Sequence, residues 1–360
     1  MNRQLLFCFA LAVAGFAGSQ CQGQEKEVYE LPPNNYSQTK PHDAVTHLQN
    51  MLASGELKME GTDREVVENL LRALHISLAS QLLVFSKTSF QKDIISPKHP
   101  RALYFADDCY VGWVPGGLVE VAAIDPKLGP IFYSFDPRGL SEKNPPTFAR
   151  DTECMSCHGG SFVPGIPAVF ARSLYADKEG QPIFRQGSEV VDYKTPFSER
   201  WGGWYVTGLH GNATHRGNVF ASENGDRLVF DPTRGANITN LSSFFDSRDY
   251  LATGSDIVSL LIFEQQTSIQ NVLTRAGINC RHMLDYQKDL MEVLKPKPGE
   301  ATNVDLFFDS VRNVFDHSAD AVVMHCCLKT KRRCPRRFRG RLNFKGILSK
   351  TTQGQRMAIH

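Results

Sequence analysis

The chain has 360 residues, with 40 Lys and Arg against 38 Asp and Glu, a net charge of +2. Eleven of the 40 basic residues and none of the 38 acidic ones lie in 321–360, so the first 320 residues hold 29 basic and 38 acidic residues, a net of −9. No basic patch suited to nucleic acid is left in the body of the chain, whose length is enough to bury a sizeable core in one large domain or two.

Residues 1–19 read as a secretory signal peptide: Arg3 gives a positive start, 5–17 is an apolar run, and Ala17-Gly18-Ser19 supplies small residues before a cleavage point. The run is short for a membrane-spanning helix. Cys21 could take a lipid anchor, but Gln20 before it fits a lipobox poorly, so soluble export to the periplasm or the outside is the expectation. Residues 20–41 are polar and hold Pro32-Pro33, as a linker or loose arm would. Residues 42–320 are assigned to one main domain.

A helix is expected from Asp43 to just before Gly55. A second starts at Thr62, where Glu65 completes a capping box, with an apolar stripe through Val66, Val67, Leu70, Leu71, Leu74 and Leu78. His75 beside it is expected to be packed or at the surface. Aromatic and β-branched runs at 102–105, 109–114, 118–124 and 131–135, separated by Gly and Pro turns, predict strands. The carboxylate pair Asp107-Asp108 fits a turn better than a metal site.

A Pro-rich loop then leads to Cys154-Met155-Ser156-Cys157-His158, the C-x-x-C-H pattern of a c-type haem attachment site. Two cysteines at this spacing can bond two vinyl groups of one porphyrin as thioethers, and His158 can then reach the iron. Half of a zinc site is one alternative, although it would need distant partners such as Cys280 and His282. A thioredoxin-like redox pair is another, but it wants a strand before and a helix after, where this chain has Asp151 and Gly159-Gly160. The other cysteines show no regular spacing of a disulfide scaffold. Export supports the haem reading, because covalent haem attachment in bacteria takes place outside the cytoplasmic membrane.

After the motif, strands at 168–175 and 182–186 are expected around Asp177-Lys178-Glu179-Gly180, and strands at 218–221 and 227–230 around Asn224-Gly225. Between them, Trp201-Gly202-Gly203-Trp204-Tyr205, His210 and His215 form an aromatic, Gly-rich stretch. His215 and His210 are therefore candidates for the distal iron ligand, with His282, Met283 and Met59 as weaker ones. Arg150 and Arg172 are candidates for pairing with haem propionates. A helix N-capped by Ser255 is expected to stop at Gly277, with others at 282–294 and 302–315. The expected class is α+β: N-terminal helices, a hairpin-rich centre around the haem site, and C-terminal helices, unlike a small all-α cytochrome c.

The stretch Arg101-Ala102-Leu103-Tyr104-Phe105, Tyr110-Val111-Gly112-Trp113-Val114, Arg150-Asp151-Thr152 before the motif, Trp201-Gly202-Gly203-Trp204-Tyr205-Val206-Thr207-Gly208 and Leu273-Thr274-Arg275-Ala276 resemble one bacterial family. These are large exported cytochrome c-domain proteins of planctomycetes and similar bacteria, mostly without assigned activity. The resemblance spans 60–290 and implies haem c at Cys154, Cys157 and His158, without supplying a substrate. The tail 321–360 departs from it: the abrupt loss of acidic residues fits either a frameshifted reading or a basic tail for an anionic surface. Electron transfer with a redox partner protein or a membrane respiratory complex is the leading expectation. A peroxidase-like haem oxidoreductase, with His210 or Arg216 over an open iron, and a haem-bearing sensor or docking subunit are the alternatives.

Overall fold

The N-terminal helices start at their side-chain caps in the computed structural model, which describes residues 27–141, 143–294 and 308–326. The expected leader, Cys21 and the tail beyond 326 lie outside these residues. In α1 (Ala44–Ala53), the Asp43 carboxylate accepts the Thr46 amide at 2.8 Å. In α2 (Asp63–Ala73), Thr62 Oγ1 accepts from the Glu65 amide and Glu65 Oε2 from the Thr62 amide. Each such cap is worth about 1 kcal/mol. Val66, Val67, Leu70 and Leu71 are buried as the stripe requires, but the helix ends before Leu78. His75 takes φ +56°, a left-handed conformation that stops it, and its side chain is exposed.

The strands come next: β1 (Leu82–Val84), β2 (Arg101–Phe105), β3 (Cys109–Trp113), β4 (Val119–Asp125), β5 (Gly129–Phe135) and β6 (Ala149–Arg150). Asp107 and Asp108 are exposed in the β2–β3 turn. Then follow α3 (Met155–His158), β7 (Ala171–Leu174), β8 (Ser188–Val191), β9 (Trp204–Tyr205), β10 (Ser222–Asn224) and β11 (Arg227–Val229), and last α4 (Ile257–Leu294) and α5 (Asp309–Cys326). Seven strands make one antiparallel sheet in the order β6-β5-β4-β3-β2-β1-β9.

Alternation along these strands sends side chains to opposite faces, and both faces are covered. Tyr104, Val111, Trp113, Val121 and Ile131 join Leu48 of α1 and Leu70 and Leu71 of α2 in one core cluster. Phe105, Tyr110, Ala122 and Phe132 join Ile257, Leu260 and Phe263 of α4 in the other. All five residues of β3 are buried for this reason. The fold is α+β, not a small all-helical one.

Several boundaries differ from the sequence expectation. Phe184–Gln186 is a 3-10 turn, and β7 pairs with β8 at 188–191 instead of with 182–186. Pro182 makes only an isolated bridge with Ala176, having no amide to extend a ladder. The second hairpin has Asn224-Gly225 in its turn, but its first strand is β10, not 218–221. Asn218, at φ +62°, uses its side chain to bracket the backbone of Val206 instead. Gly277 does not end a helix: α4 runs through it for 38 residues. A mid-helix glycine costs about 1 kcal/mol relative to Ala, and burial of neighbouring Thr274 and Ile278 outweighs that. α5 packs along α4 and reaches Cys326, past the expected boundary at 320. Among the described residues no helix is long and apolar enough to cross a membrane.

Candidate functional site

The C-x-x-C-H segment is launched from the edge of the main sheet. β6 pairs with β5, the Asp151 amide continues the ladder to Phe132 O at 2.9 Å, and Ser134 Oγ donates to the Asp151 carboxylate. Asp151 in turn accepts the Glu153 amide at 2.9 Å, and the chain coils into α3. The amides of Cys157 and His158 both reach Cys154 O, at 3.2 and 2.9 Å. Cys154, Cys157 and His158 thus stand at i, i+3 and i+4 of one helical turn, where side chains share a face.

His158 is fixed by a reciprocal clamp. The Ala168 amide donates to His158 O at 2.9 Å, and His158 Nδ1 lies 2.7 Å from Ala168 O. A carbonyl can only accept, so the imidazole proton is on Nδ1 and Nε2 carries the lone pair. Among the described residues nothing hydrogen-bonds to Nε2. The ring lies between Phe132, 4.6 Å away, and Phe170, 4.9 Å away and stacked at 29°. Burial holds the imidazole below its ordinary pKa against the opposing hydrogen bond to Ala168, and the nearby Arg101 charge adds to the lowering. The chain returns to Ala168 through Gly159 and Gly160; Gly160 takes φ +123°, and a side chain at Gly159 would strike Met155 O and the Tyr29 hydroxyl.

The two sulfurs sit in different settings. Cys154 is half-buried and Cys157 exposed, and both are free thiols. Burial pushes the Cys154 thiol up to about 12, and the carboxylates of Asp151 and Glu120 add to the rise. Thiolates active in redox exchange or zinc binding want electropositive surroundings. A thioether is uncharged, so these carboxylates do not oppose it. Among the described residues no group of three or more His, Cys, Asp or Glu side chains converges as a metal cluster would. Cys280 is not joined to the motif, and His282 Nδ1 lies 3.2 Å from Pro32 O.

Beneath this turn, Arg101 and Glu120 form an ion pair on the sheet face that also carries Phe132. β3 passes between them with Gly112, and a Cβ there would fall on the Arg101 guanidinium. Sequence reading missed this pair because its members stand on strands 19 residues apart; the signal was the glycine inside a strand run.

The other candidate residues lie in different company. Arg150 donates to Tyr36 O at 2.7 Å and Thr39 O at 3.2 Å and stacks on the Tyr36 ring, so it ties down the N-terminal arm. Arg172 donates to Ser188 Oγ through two nitrogens and lies over the Phe162 ring at 4.0 Å. Burial holds the Arg172 guanidinium below its ordinary pKa, and nearby Cys157 offsets only part of that. Met59 is buried in the core of α1 and α2. Met283 is half-buried on α4.

His210 and His215 meet each other. Their Nε2 atoms are 3.2 Å apart. His215 Nδ1 accepts the Gly217 amide at 3.0 Å, so His215 donates through Nε2 to His210 Nε2, which also accepts the Asn237 amide at 2.9 Å. Burial depresses both, and His215 falls to about 3. Trp201, held at φ +66°, brings its indole 5.2 Å from His215. Among the described residues neither imidazole hydrogen-bonds to or stacks on the Cys154–His158 turn.

A cavity of about 180 Å³ adjoins the site through Phe170 and is walled by Val163, Val190 and Val272, with Arg275 and Asp192 also lining it. A larger groove of about 470 Å³, lined by hydroxyls and amides such as Thr207, Thr239, Asn240 and Ser242, contains no residue of the turn. The donor set fits a c-type haem: two sulfurs and one orientated imidazole lone pair come from a single turn. The adjoining cavity is smaller than the ~300–1,000 Å³ of ligand pockets in general. Cys157 is exposed, so its sulfur is reachable from outside the fold. Compared with protein-family models, with curated proteins and with solved structures, the chain matches none of them.

Proposed function

We propose that the chain is an exported c-type cytochrome that carries one haem, bonded through Cys154 and Cys157 and ligated by His158, and that it transfers electrons to or from a redox partner outside the cytoplasm. The reading is of the same kind as the family resemblance of residues 60–290 implies. Bound haem supplies a one-electron iron couple. The chain supplies the rest. Cys154 and Cys157 hold the group as uncharged thioethers. His158 offers Nε2, and donation from Nδ1 to Ala168 O fixes its tautomer and raises its basicity as a ligand. Phe132 and Phe170 keep the ring in place and keep water from its faces.

The observation that carries this reading is the clamp on His158. A histidine directly after a C-x-x-C pair has one nitrogen committed to a backbone carbonyl and the other left with its lone pair. The test is expression in a periplasm with haem-c maturation, followed by a reduced pyridine spectrum of the denatured protein. A c-type spectrum is expected from the wild type and none from Cys154→Ala/Cys157→Ala. Well-folded wild type without covalent haem would sink the reading. A low-spin native spectrum fits a carrier, and a high-spin one would move the assignment to a haem-dependent oxidoreductase.

A further inference from the structure

Among the described residues the buried and half-buried arginines have hydrogen-bond or ion-pair partners, with two exceptions, and one of these, Arg216, lies over the Tyr175 ring at 4.6 Å instead. Arg101 pairs with Glu120 and Arg200 with Glu264. Arg150 and Arg281 donate to backbone carbonyls, and Arg172 to Ser188. Arg275, half-buried on α4, makes no hydrogen bond or ion pair among the described residues. Burial alone holds its guanidinium below the usual range, with no carboxylate to offset it. A cation withdrawn from water without an acceptor is costly, and pairing with an anion recovers that cost.

The position of Arg275 says what kind of anion. It lines a cavity that is also lined by Phe170, the ring stacked on His158, and its Nη1 lies close over Gly165 in the loop that follows the turn. The remaining walls are mixed: Val163, Val190, Val191 and Val272 are apolar, and Thr267, Ser268 and Asn271 of α4 are polar. Asp192 lines the same cavity, but its Oδ1 accepts the amides of Lys194 at 2.7 Å and Thr195 at 3.2 Å and forms no ion pair with Arg275. A partly apolar space with one unpaired cation and a few hydroxyl and amide groups suits the edge of a flat, mostly apolar molecule that bears a carboxylate. We propose that Arg275 pairs with a propionate carboxylate of the haem held by Cys154 and Cys157. This inference rests on the functional reading above. It replaces Arg150, whose guanidinium is engaged with the arm, as the propionate partner.

The test is the pH dependence of the reduction potential of the haem-loaded full chain, after the pyridine spectrum has established attachment. A propionate beside Arg275 ionises at low pH in the wild type. In Arg275→Gln the bend of the potential–pH curve is expected to move up by about one pH unit or more, a tenfold or greater loss in carboxyl acidity. Arg275→Lys keeps a charge but loses the planar fork, and a smaller shift in the same direction is expected. Arg150→Gln should leave the curve unmoved. Arg275→Leu serves as the neutral variant if the glutamine protein does not fold. An unmoved curve in a folded, haem-loaded neutral variant overturns the Arg275 assignment alone. Absence of covalent haem from the wild type overturns it together with the cytochrome reading.

Discussion

Two places in this molecule hold buried or half-buried imidazoles among aromatic rings and glycines: the turn ending at His158, and the loops carrying His210 and His215. Residue type and surroundings are alike, but the hydrogen bonding is not. His158 gives Nδ1 to Ala168 O and keeps Nε2 without a hydrogen-bond partner among the described residues. His210 and His215 turn their Nε2 atoms on each other, and His210 Nε2 takes the Asn237 amide besides. Whether a histidine can serve as a ligand depends on which lone pair is left over after the fold has taken its share. On that criterion His158 keeps a nitrogen that could ligate a metal, and the other two knit one loop to the next.

The comparison breaks most visibly at the haem itself. His158→Gly should lose the native low-spin spectrum of the loaded protein entirely and regain it with added imidazole. His210→Ala and His215→Ala should keep it. A spectrum altered in His215→Ala as deeply as in His158→Gly would make that histidine the second axial ligand and end the distinction drawn here.

Next in size is the stability effect of the histidine pair. His215→Ala removes a buried ring and strands the Gly217 amide, a loss of about 2–4 kcal/mol. The urea midpoint measures it, and a change within about 0.5 kcal/mol of zero would contradict a structural role.

A pH effect of on the order of 1–3 kcal/mol is expected from Glu264, which lies beside Trp201 in the same region. Burial pushes its carboxyl from 4.5 up to about 7, although Arg200 Nη1 sits 2.7 Å from Oε2 and opposes the rise. Such a group binds more protons folded than unfolded between these two values, so stability should fall as pH climbs through that interval. Glu264→Gln should lack that slope in urea titrations at a series of pH values. A wild type and a variant with parallel slopes would show Glu264 ionised throughout.

The smallest effect sharpens the contrast between engaged and unengaged arginines. Arg150→Gln should cost about 1 kcal/mol of stability through the lost bonds to Tyr36 and Thr39, with the haem spectrum unchanged. A spectral change without a stability change would return Arg150 to the cofactor.

Features with local causes were legible in the sequence. The caps at Asp43 and Thr62 are satisfied within three residues, so their residue types announce them. The four central strands carry their alternation and turns in the chain itself. The spacing of Cys154, Cys157 and His158 is likewise local, which is why the motif could be read without a fold. The stop expected at Gly277 failed because burial along α4 overrode a local cost. Arg150 looked relevant because it precedes the motif by four residues, yet its acceptors lie 111 and 114 residues away. Nothing local could have singled out Arg275, whose distinction is the want of a partner in a cavity built from three separate segments.

Gly112 is a mould made from a missing methyl group. Both neighbouring strands hydrogen-bond to β3 through backbone atoms, so an alanine at 112 would leave their register alone. Its new carbon would meet the end of a long side chain, which can swing away. Arg101 would then leave Glu120, and the carboxylate would face the motif with its countercharge gone. One carbon atom at the centre of the sheet would thereby change the electric potential felt by Cys154 and His158, with no residue of the cofactor turn altered.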